Sequence, residues 1–242
     1  MLIAGNWKMN LKYEDILNFK EILSDLTLNN KVEMAIFPQS PLLYSAKQNL
    51  SHHNIQVGAQ ACSSELKGAF TGDVSVEILS DIGCKYCIVG HSERRELHNE
   101  TNDFIKKAST LLLSKNIIPI ICVGESQEIK NKKNTNQFIK SQIKECIPDK
   151  IISNLVIAYE PLWAIGTGLI PEYEEIFNVH DIIMNELQHI QNLKVIYGGS
   201  VDIENCTQIF ELNNVHGALI GGSSLKFKDF LAIYKSAVKQ II

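Results

Sequence analysis

The chain lacks long hydrophobic runs, an excess of basic charge, low-complexity tracts and any stretch typical of an interdomain linker. Its longest interior apolar run, residues 117–123, is far shorter than a bilayer span, and the apolar stretch at the amino terminus is too short for a signal peptide. Lys and Arg total 23 against 27 Asp and Glu, and the two signs are interleaved without forming a basic stripe. We therefore expect a cytoplasmic protein that binds neither nucleic acid nor membranes.

The cysteines give no sign of a disulfide framework or a metal site. A chain of 242 residues, 45% of them hydrophobic, can bury enough core to fold without disulfides. Cys84 and Cys87 have Cys-x-x-Cys spacing, but no second pair lies at zinc-ribbon distance and Cys87 opens an apolar strand. We interpret all six cysteines as reduced thiols and expect no metal.

Eight short runs rich in β-branched residues recur along the chain, and segments of helical periodicity separate them. Apolar strands that alternate with amphipathic helices indicate a parallel sheet covered by helices. Eight such units within this length favour the α/β class and a single-domain (β/α)8 barrel over residues 1–242, rather than an open doubly wound sheet. The predicted strands are 2–6, 33–38, 55–60, 87–91, 117–124, 155–160, 194–198 and 217–221.

Glu160 stands at the end of the sixth predicted strand, directly before Pro161 and ahead of Gly166 and Gly168. Proline stiffens one end of such a segment, and glycine allows backbone conformations that are closed to other residues. This order suits a catalytic base followed by a hinged lid. A strand-end glutamate before an ordinary glycine-rich loop has the same pattern, so the segment alone leaves both interpretations open.

Polar or glycine clusters directly follow five of the predicted strands. The carboxyl ends of the strands in a parallel barrel form one rim, and that rim carries the active site. Two clusters are glycine pairs followed by serine, and a backbone without side chains can approach phosphate oxygens closely. A lone glycine pair is usually a turn, but two pairs after strands seven and eight indicate a phosphate site. The clusters are Asn6-Trp7-Lys8, His91-Ser92-Glu93, Glu160, Gly198-Gly199-Ser200 and Gly221-Gly222-Ser223.

His91 ends the fourth predicted strand, and the residues at 92–96 are typical of a helix start. Because the amino end of a helix disfavours a positive imidazole, we expect His91 to be neutral and to donate a hydrogen bond. Taken alone, His91 could be a structural histidine and Lys8 a surface cation. Together, a base, a neutral acid, a cation and a phosphate cradle describe proton abstraction beside a carbonyl.

Six motifs occur in order along the chain. They are Gly5-Asn6-Trp7-Lys8-Met9-Asn10, Gly68-Ala69-Phe70-Thr71-Gly72, Gly90-His91-Ser92-Glu93-Arg94-Arg95, the segment from Glu160 to Gly168, Tyr197-Gly198-Gly199-Ser200-Val201 and Gly221-Gly222-Ser223-Ser224-Leu225. Together they resemble the triosephosphate isomerase family from end to end. Six ordered matches are far more specific than any single motif.

This resemblance implies interconversion of dihydroxyacetone phosphate and glyceraldehyde 3-phosphate through an enediolate, in glycolysis and gluconeogenesis, without a cofactor. Glu160 would move the proton between the two carbons, His91 would polarise the carbonyl, and Lys8 with Asn6 would stabilise the oxyanion. These roles are carried over from the family rather than worked out from this chain. Glu93 resembles a rim carboxylate close to Lys8, and would serve equally as a helix-start acid.

The resemblance also names the groups that would hold and cover the substrate. The substrate-binding residues would be Asn6, Lys8, Gly166, Ser200, Gly221 and Gly222. The lid would comprise Pro161, Leu162, Trp163, Ala164, Ile165, Gly166, Thr167 and Gly168.

The family is usually a homodimer in which the third βα loop enters the neighbouring subunit's active-site region. Residues 60–74 resemble that loop, with Thr71 near its tip. The apolar pair Ala69-Phe70 would be awkward in water, which favours a buried loop over a solvated one. We therefore expect a homodimer through residues 60–74.

Several positions depart from the family pattern without removing a chemical group. Leu162 replaces a valine, Leu169-Ile170 stand where lysine and small polar residues are usual, and Ala61 replaces a frequent asparagine. The polar stretch 126–136 is unlike the family, and its lysines at 130, 132 and 133 predict a solvated loop. The lid departures leave its closing rate open.

Two other functions fit the same barrel. Loss of the base or of the lid would favour a non-catalytic phosphate-ligand-binding barrel, yet Glu160, His91, Lys8 and the lid residues are all present. An isomerase for a larger sugar phosphate generally needs extra carboxylates at the strand ends, and only Glu160 is well placed.

Overall fold

Eight parallel strands close into a barrel in the computed structural model, which describes residues 1–24, 28–165 and 169–241. Each strand pairs with the next in chain order, and β8 closes on β1, where Gly217 is opposite Leu2. This confirms the predicted (β/α)8 architecture. The strands are β1 (Leu2–Asn6), β2 (Glu33–Phe37), β3 (Ile55–Ala59), β4 (Tyr86–Val89), β5 (Ile118–Val123), β6 (Val156–Tyr159), β7 (Lys194–Tyr197) and β8 (Gly217–Ile220).

Helices connect the strands and cover the outside of the barrel. They are α1 (Tyr13–Leu23), α2 (Leu43–Leu50), α3 (Val76–Ile82), α4 (Ser92–Leu97), α5 (Asn102–Ser114), α6 (Gln127–Asn131), α7 (Thr135–Cys146), α8 (Tyr173–Glu186), α9 (Cys206–Phe210) and α10 (Phe227–Lys239). Short 3₁₀ turns occupy Ser40–Leu42, Ser51–His53 and Gly222–Leu225. Within the described ranges, no helix has the length and apolar character needed to cross a bilayer.

The helices pack through the apolar faces that the sequence predicts. Ile105, Ala108 and Leu112 of α5 are fully buried, as are Phe230 and Ile233 of α10. They belong to an outer core between strands and helices. All six cysteines are buried free thiols.

A second core fills the inside of the barrel, because alternate residues of each strand point inward. Phe37 is accommodated because its neighbour in β3 is glycine: a Cβ at Gly58 would lie 2.3 Å from the Phe37 ring. The barrel is therefore a packed core and not a pore. The inner residues are Leu2, Ala4, Ala35, Phe37, Tyr86, Ile88, Ile120, Cys122, Val156, Ala158, Ile196 and Leu219.

All but the first predicted strand end one or two residues beyond the observed strand. The extra residues lie where the chain leaves the ladder. The backbone N–H of Glu160 still donates to Val123 O at 2.7 Å, and that of Gly198 to Tyr159 O at 2.7 Å. These two residues are therefore fixed by the sheet although they lie outside it.

Candidate active site

A cavity of about 300 Å³ opens at the carboxyl ends of the strands. Residues that follow β1, β4, β6, β7 and β8 line it, so five separate parts of the chain converge there. Its lining includes Asn6, Lys8, His91, Glu160, Ile165, Gly198, Gly199, Ser200, Gly221, Gly222 and Ser223. The lining thus brings together the strand-end residues that the sequence singled out, apart from Trp7, Ser92 and Glu93.

Glu160 is the buried carboxylate of this cavity, with 2% of its surface exposed. Its Oε2 accepts a hydrogen bond of 3.0 Å from the backbone N–H of Ser92, at the start of α4. His91 Nε2 lies 3.2 Å from Oε1, but the arrangement lacks hydrogen-bond geometry, and Oε1 accepts no hydrogen bond. One carboxylate oxygen is therefore anchored, and the other keeps its lone pairs available beside the imidazole.

Two glycines make room for Glu160. A Cβ on Gly124, which directly follows β5, would lie 1.7 Å from the backbone oxygen of Glu160. A Cβ on Gly198 would lie 2.9 Å from Cγ of Glu160. Real Cβ atoms do not make a 1.7 Å contact with backbone, so glycine at 124 is a condition for the observed path of the chain at Glu160.

His91 caps the amino end of α4. Its Nδ1 accepts a hydrogen bond of 3.2 Å from the backbone N–H of Glu93. A ring nitrogen that accepts an N–H carries no proton, so this bond selects the neutral tautomer with the proton on Nε2. Glu93 Oε2 lies 3.7 Å from Nδ1 and would favour a protonated ring, but that contact is longer than a hydrogen bond, and the backbone contact decides the assignment. The geometry therefore favours a neutral His91 that presents an N–H donor.

Arg95 fixes the turn that carries His91. Its guanidinium donates to Gly90 O at 2.7 Å, to Cys122 O at 2.9 Å and to Asn102 Oδ1 at 2.6 Å. These bonds tie the carboxyl ends of β4 and β5 to the start of α5. From the sequence, Arg95 is predicted only to belong to a motif and to the start of a helix.

Lys8 enters the cavity through an unusual backbone conformation. Its φ of 51° lies in the left-handed region, which is uncommon for a residue with a side chain, and its N–H donates to Asn6 Oδ1 at 3.0 Å. Lys8 Nζ forms an ion pair of 2.6 Å with Glu93, in agreement with the expected proximity of the two residues. The ammonium and the buried Asn6 side chain therefore share one wall of the cavity.

Trp7 does not belong to the rim, although the sequence grouped it with Asn6 and Lys8. Its side chain is fully buried and packs against Phe19 and Phe227, with ring centroids 6.5 and 5.9 Å away. Successive residues at a strand end point to opposite faces, so Trp7 faces the surrounding helices.

The two glycine turns form another wall of the cavity. A Cβ on Gly222 would meet no atom within 4 Å, and one on Gly221 would only touch the Lys8 side chain at 3.5 Å. The turns are held from behind, because Asn205 Nδ2 donates to Ser200 O at 3.1 Å and Ser224 Oγ donates to Gly221 O at 2.7 Å. A phosphate group can therefore come close to fixed backbone at Gly221 and Gly222. At Gly199 the space is filled, because a Cβ would lie 2.2 Å from the Tyr197 hydroxyl.

The first half of the predicted lid lies beside the cavity. Pro161 and Ala164 are buried, Leu162 is at the surface, and Ile165 lines the cavity. The remaining lid residues, Gly166, Thr167 and Gly168, lie outside the described residues, and so does the phosphate contact expected of Gly166. Leu169 and Ile170 follow with about half of their surface exposed.

Glu125 is a rim residue that the sequence analysis missed. It follows Gly124 at the end of β5, and its Oε1 accepts hydrogen bonds from the Trp163 indole at 2.9 Å and the Tyr159 hydroxyl at 3.2 Å. Burial raises the pKa of the Glu125 carboxyl, although these hydrogen bonds act to lower it. The strand-end rule would have found Glu125 if it had also been applied to the fifth strand.

The expectation of a solvated lysine loop is wrong for Lys130. This residue lies in α6, its Nζ sits 3.2 Å from the centroid of the Trp163 ring, and it forms an ion pair of 3.0 Å with Glu175. An ammonium over an indole face is attracted by the ring quadrupole. Single-sequence composition could not show this contact, because Trp163 comes from a different loop.

Residues 60–74 form the loop after β3. Its base is fixed, since Ser63 N donates to Val74 O at 2.8 Å and Ser63 Oγ donates to Asp73 at 2.7 Å. From residue 65 to residue 73 the loop is exposed, including Phe70 and Thr71.

Among the described residues, no group of three or more His, Cys, Asp or Glu side chains could hold a metal ion.

Comparison with known proteins gives consistent matches over nearly the full length. Residues 1–237 match the family model described as triosephosphate isomerase. A triosephosphate isomerase of Rhizobium etli is 39% identical over 243 residues, which covers 97% of this chain and 95% of the relative. One from Lawsonia intracellularis is 37% identical and covers 96% of both chains, and one from Thermus thermophilus is 37% identical and covers 98% of both.

Proposed function

The chain belongs to the triosephosphate isomerase family, and from that premise we propose that Glu160 and His91 are the catalytic pair of its active site. The enzyme is an aldose–ketose isomerase that interconverts dihydroxyacetone phosphate and D-glyceraldehyde 3-phosphate. The observation that carries the assignment is the 3.2 Å approach of His91 Nε2 to Glu160 Oε1 inside the rim cavity. A base and a proton donor at this separation can act on adjacent atoms of one small substrate.

Glu160 takes a proton from the carbon next to the substrate carbonyl, which gives an enediolate, and returns it to the neighbouring carbon. Oε1 suits this step because it accepts no hydrogen bond in the free protein. Oε2 is held by the backbone N–H of Ser92, which limits rotation of the carboxylate. Burial of the group excludes water that would otherwise compete for the proton.

His91 donates its Nε2 proton toward the carbonyl oxygen, where negative charge develops. The Lys8 ammonium and the Asn6 amide, which also line the cavity, add positive electrostatic potential and a hydrogen-bond donor. Because Glu93 pairs with Lys8 from the rim side, it fixes the direction of the lysine side chain. The charge balance therefore favours the enediolate over the uncharged carbonyl group of the substrate.

The substrate phosphate is held by the glycine turns and covered by the lid. Ser200, Gly221 and Gly222 offer backbone close to an open part of the cavity, and Lys8 provides the countercharge. We propose that residues 161–168 act as the lid and that Gly166, within it, makes a further contact with the phosphate. A closed lid holds the phosphate group and so protects the enediolate from expelling it by elimination.

The alternative of a non-catalytic phosphate-binding barrel is not favoured. A binding protein has no need of a buried carboxylate with a free oxygen, and burial of such a group is costly. Here the buried Glu160 is positioned by Gly124, Gly198 and Ser92 together.

The substitution Glu160→Gln tests the assignment. Glutamine keeps size and hydrogen bonding but cannot take the proton, so kcat should fall by at least ~10²–10⁴ with little change in KM. The measurement is a coupled assay with glyceraldehyde 3-phosphate. Glu174→Gln, on the exposed face of α8, is the matched control and should keep wild-type rates. Activity of Glu160→Gln within a few-fold of wild type would refute the assignment of Glu160 as the catalytic base.

We also propose that the protein is a homodimer through residues 60–74. Large exposed apolar side chains follow each of the first four strands on the carboxyl side, and a partner subunit would cover them: Met9, Tyr44, Phe70 and Leu97. Large apolar side chains left exposed after several neighbouring strands favour an interface in soluble proteins. Thr71 then lies near the tip of the loop that enters the partner.

Three broader proposals complete the assignment. The reaction is a step of glycolysis, and we place the enzyme in gluconeogenesis as well because the interconversion is reversible. We propose a cytoplasmic location, where both pathways supply its substrates. Residues 1–242 are proposed to form one domain, since the family match and the barrel both extend over nearly all of the chain.

A further inference from the structure

A second cavity lies at the opposite end of the barrel, where the strands begin. Its volume is about 380 Å³, and it is lined by Met1, Lys31, Glu33, Lys85 and Lys194 together with polar and apolar residues of the 28–32 loop and of β3. Glu33 and Lys194 are the first residues of β2 and β7, and Lys85 directly precedes β4. None of these residues lines the active-site cavity.

Positive charge predominates among the described residues of this cavity. Lys31, Lys85 and Lys194 are cationic, while Glu33 is the one acidic residue of the described lining. Burial, together with Lys194, lowers the pKa of the Met1 amino group, so the surplus is carried by the three lysines. This imbalance contrasts with the chain as a whole, whose net charge is −4. An anion placed here would therefore meet a local surplus of cations.

Glu33 cannot neutralise this surplus of positive charge, because its single carboxylate is already shared between Lys85 and Lys194 and both of its oxygens accept hydrogen bonds. Oε1 accepts from Lys85 at 2.5 Å, and Oε2 accepts from Tyr86 at 2.6 Å and from Lys194 at 3.4 Å. Burial acts to raise the pKa of Glu33, but the bonds from Lys85 and Tyr86 outweigh it, and the pKa lies below its ordinary value. The carboxylate is therefore ionised and shared between two lysines, which leaves positive charge uncompensated.

The pKa of a neighbouring histidine responds to the same positive charges. His216 Nδ1 accepts from Val195 N at 3.0 Å, directly after Lys194. Burial lowers the pKa of His216, and the amino terminus and Lys194 lower it further. The cations of this cavity thus act on a group outside it.

We propose that this cavity at the amino-terminal mouth binds a small phosphate dianion, free or as the end of a phosphomonoester. Two negative charges match the surplus of cations, and the ammonium groups of Lys31 and Lys194, which both belong to the lining, provide hydrogen-bond donors. A cavity of this size holds one phosphate with a short substituent. The site is separate from the catalytic rim and does not depend on the assignment of Glu160.

Equilibrium dialysis with labelled inorganic phosphate tests the proposal. At low ionic strength the wild type should bind two phosphates per chain, one at each end of the barrel. In the double variant Lys31→Met/Lys194→Met the affinity of one of them should fall about tenfold or more, because two attractive charges are lost. Lys144→Met, which removes an exposed lysine from α7, is the control and should bind as the wild type does. Equal phosphate binding by the double variant and the wild type would overturn the proposal.

A site-specific signal makes the test independent of stoichiometry. Phosphate should raise the pKa of His216 in the wild type, since a nearby dianion favours the imidazolium, and NMR of its ring proton measures this, with His216→Gln for assignment. The rise should be absent in the double variant, whose kcat and KM should stay within about twofold of wild type. A His216 titration that does not respond to phosphate would refute the site. Displacement of labelled phosphate by methyl phosphate identifies a phosphomonoester site, and failure to displace it identifies one for free phosphate.

Discussion

Acidification should destabilise this protein through His180, a fully buried histidine of α8. Its Nδ1 lies 3.2 Å from Asn214 O and donates to it, while Nε2 has no hydrogen-bond partner. The edge of the ring packs on Tyr159, with centroids 6.0 Å apart. Burial lowers the pKa of His180 from 6.5 to about 4, with a smaller contribution from His216, against a raising effect of the Asn214 carbonyl.

The size of the effect follows from the two pKa values. The unfolded chain takes up the proton near pH 6.5, whereas the folded protein resists it until about pH 4. The stabilisation is therefore complete above pH 6.5, is lost as the pH falls from 6.5 to 4, and does not change below that. A difference of about 2.5 units corresponds to roughly 3 kcal/mol, a large share of the ~5–15 kcal/mol by which domains are stable.

Urea unfolding at pH 7 and pH 4.5, at one fixed protein concentration, measures this contribution. His180→Asn keeps a donor for the Asn214 carbonyl but cannot titrate, so its free energy of unfolding should fall by about 2–3 kcal/mol less than that of the wild type over this pH interval. His189→Asn, at an exposed site just after α8, should show the wild-type pH dependence. If His180→Asn and the wild type lose the same stability, burial of the neutral imidazole is not the cause.

Three further predictions concern the active site and its surroundings. Gly124→Ala should displace the Glu160 backbone, because the added Cβ would lie 1.7 Å from the Glu160 carbonyl oxygen, and should lower kcat by about 10² while the protein stays folded. An unchanged kcat would show that the strand end can shift without moving the Glu160 side chain. Thr71→Arg should place an unpaired charge in the partner's pocket, so association and activity should fall together on dilution, and a fully active monomer in analytical ultracentrifugation would contradict this. Deletion of residues 165–167 should lower isomerisation and raise the ratio of methylglyoxal to isomerised product; a ratio at the wild-type level would mean that the segment does not protect the enediolate.

The barrel was predictable because its signal repeats along the chain. The strands are apolar along most of their length and the longer helices keep one apolar face, so the errors in strand placement are confined to strand ends. Those ends are ambiguous because Glu160 and Gly198 keep ladder-like backbone bonds one residue beyond the strand. The rim residues followed from the same rule, since carboxyl ends of parallel strands must meet.

What the sequence could not show depends on contacts between distant segments. Trp7 stands between two rim residues, and only the packing of Phe19 and Phe227 shows that it faces outward. Lys130 lies in a polar stretch typical of solvent, yet its partner Trp163 comes from another loop. Neither contact leaves a periodic pattern in a single sequence.

Lys130 also links the two segments that flank the central residues of the proposed lid. Its ammonium lies over Trp163, which precedes the lid's central residues, and pairs with Glu175 in the first turn of α8, which follows them. One side chain cannot keep both contacts if the flanks move apart, because the ring face and the carboxylate are satisfied only at their present separation. Displacement of one flank therefore disturbs the contact that Lys130 makes with the other flank. We therefore expect the two ends of the proposed lid to move together rather than as independent hinges.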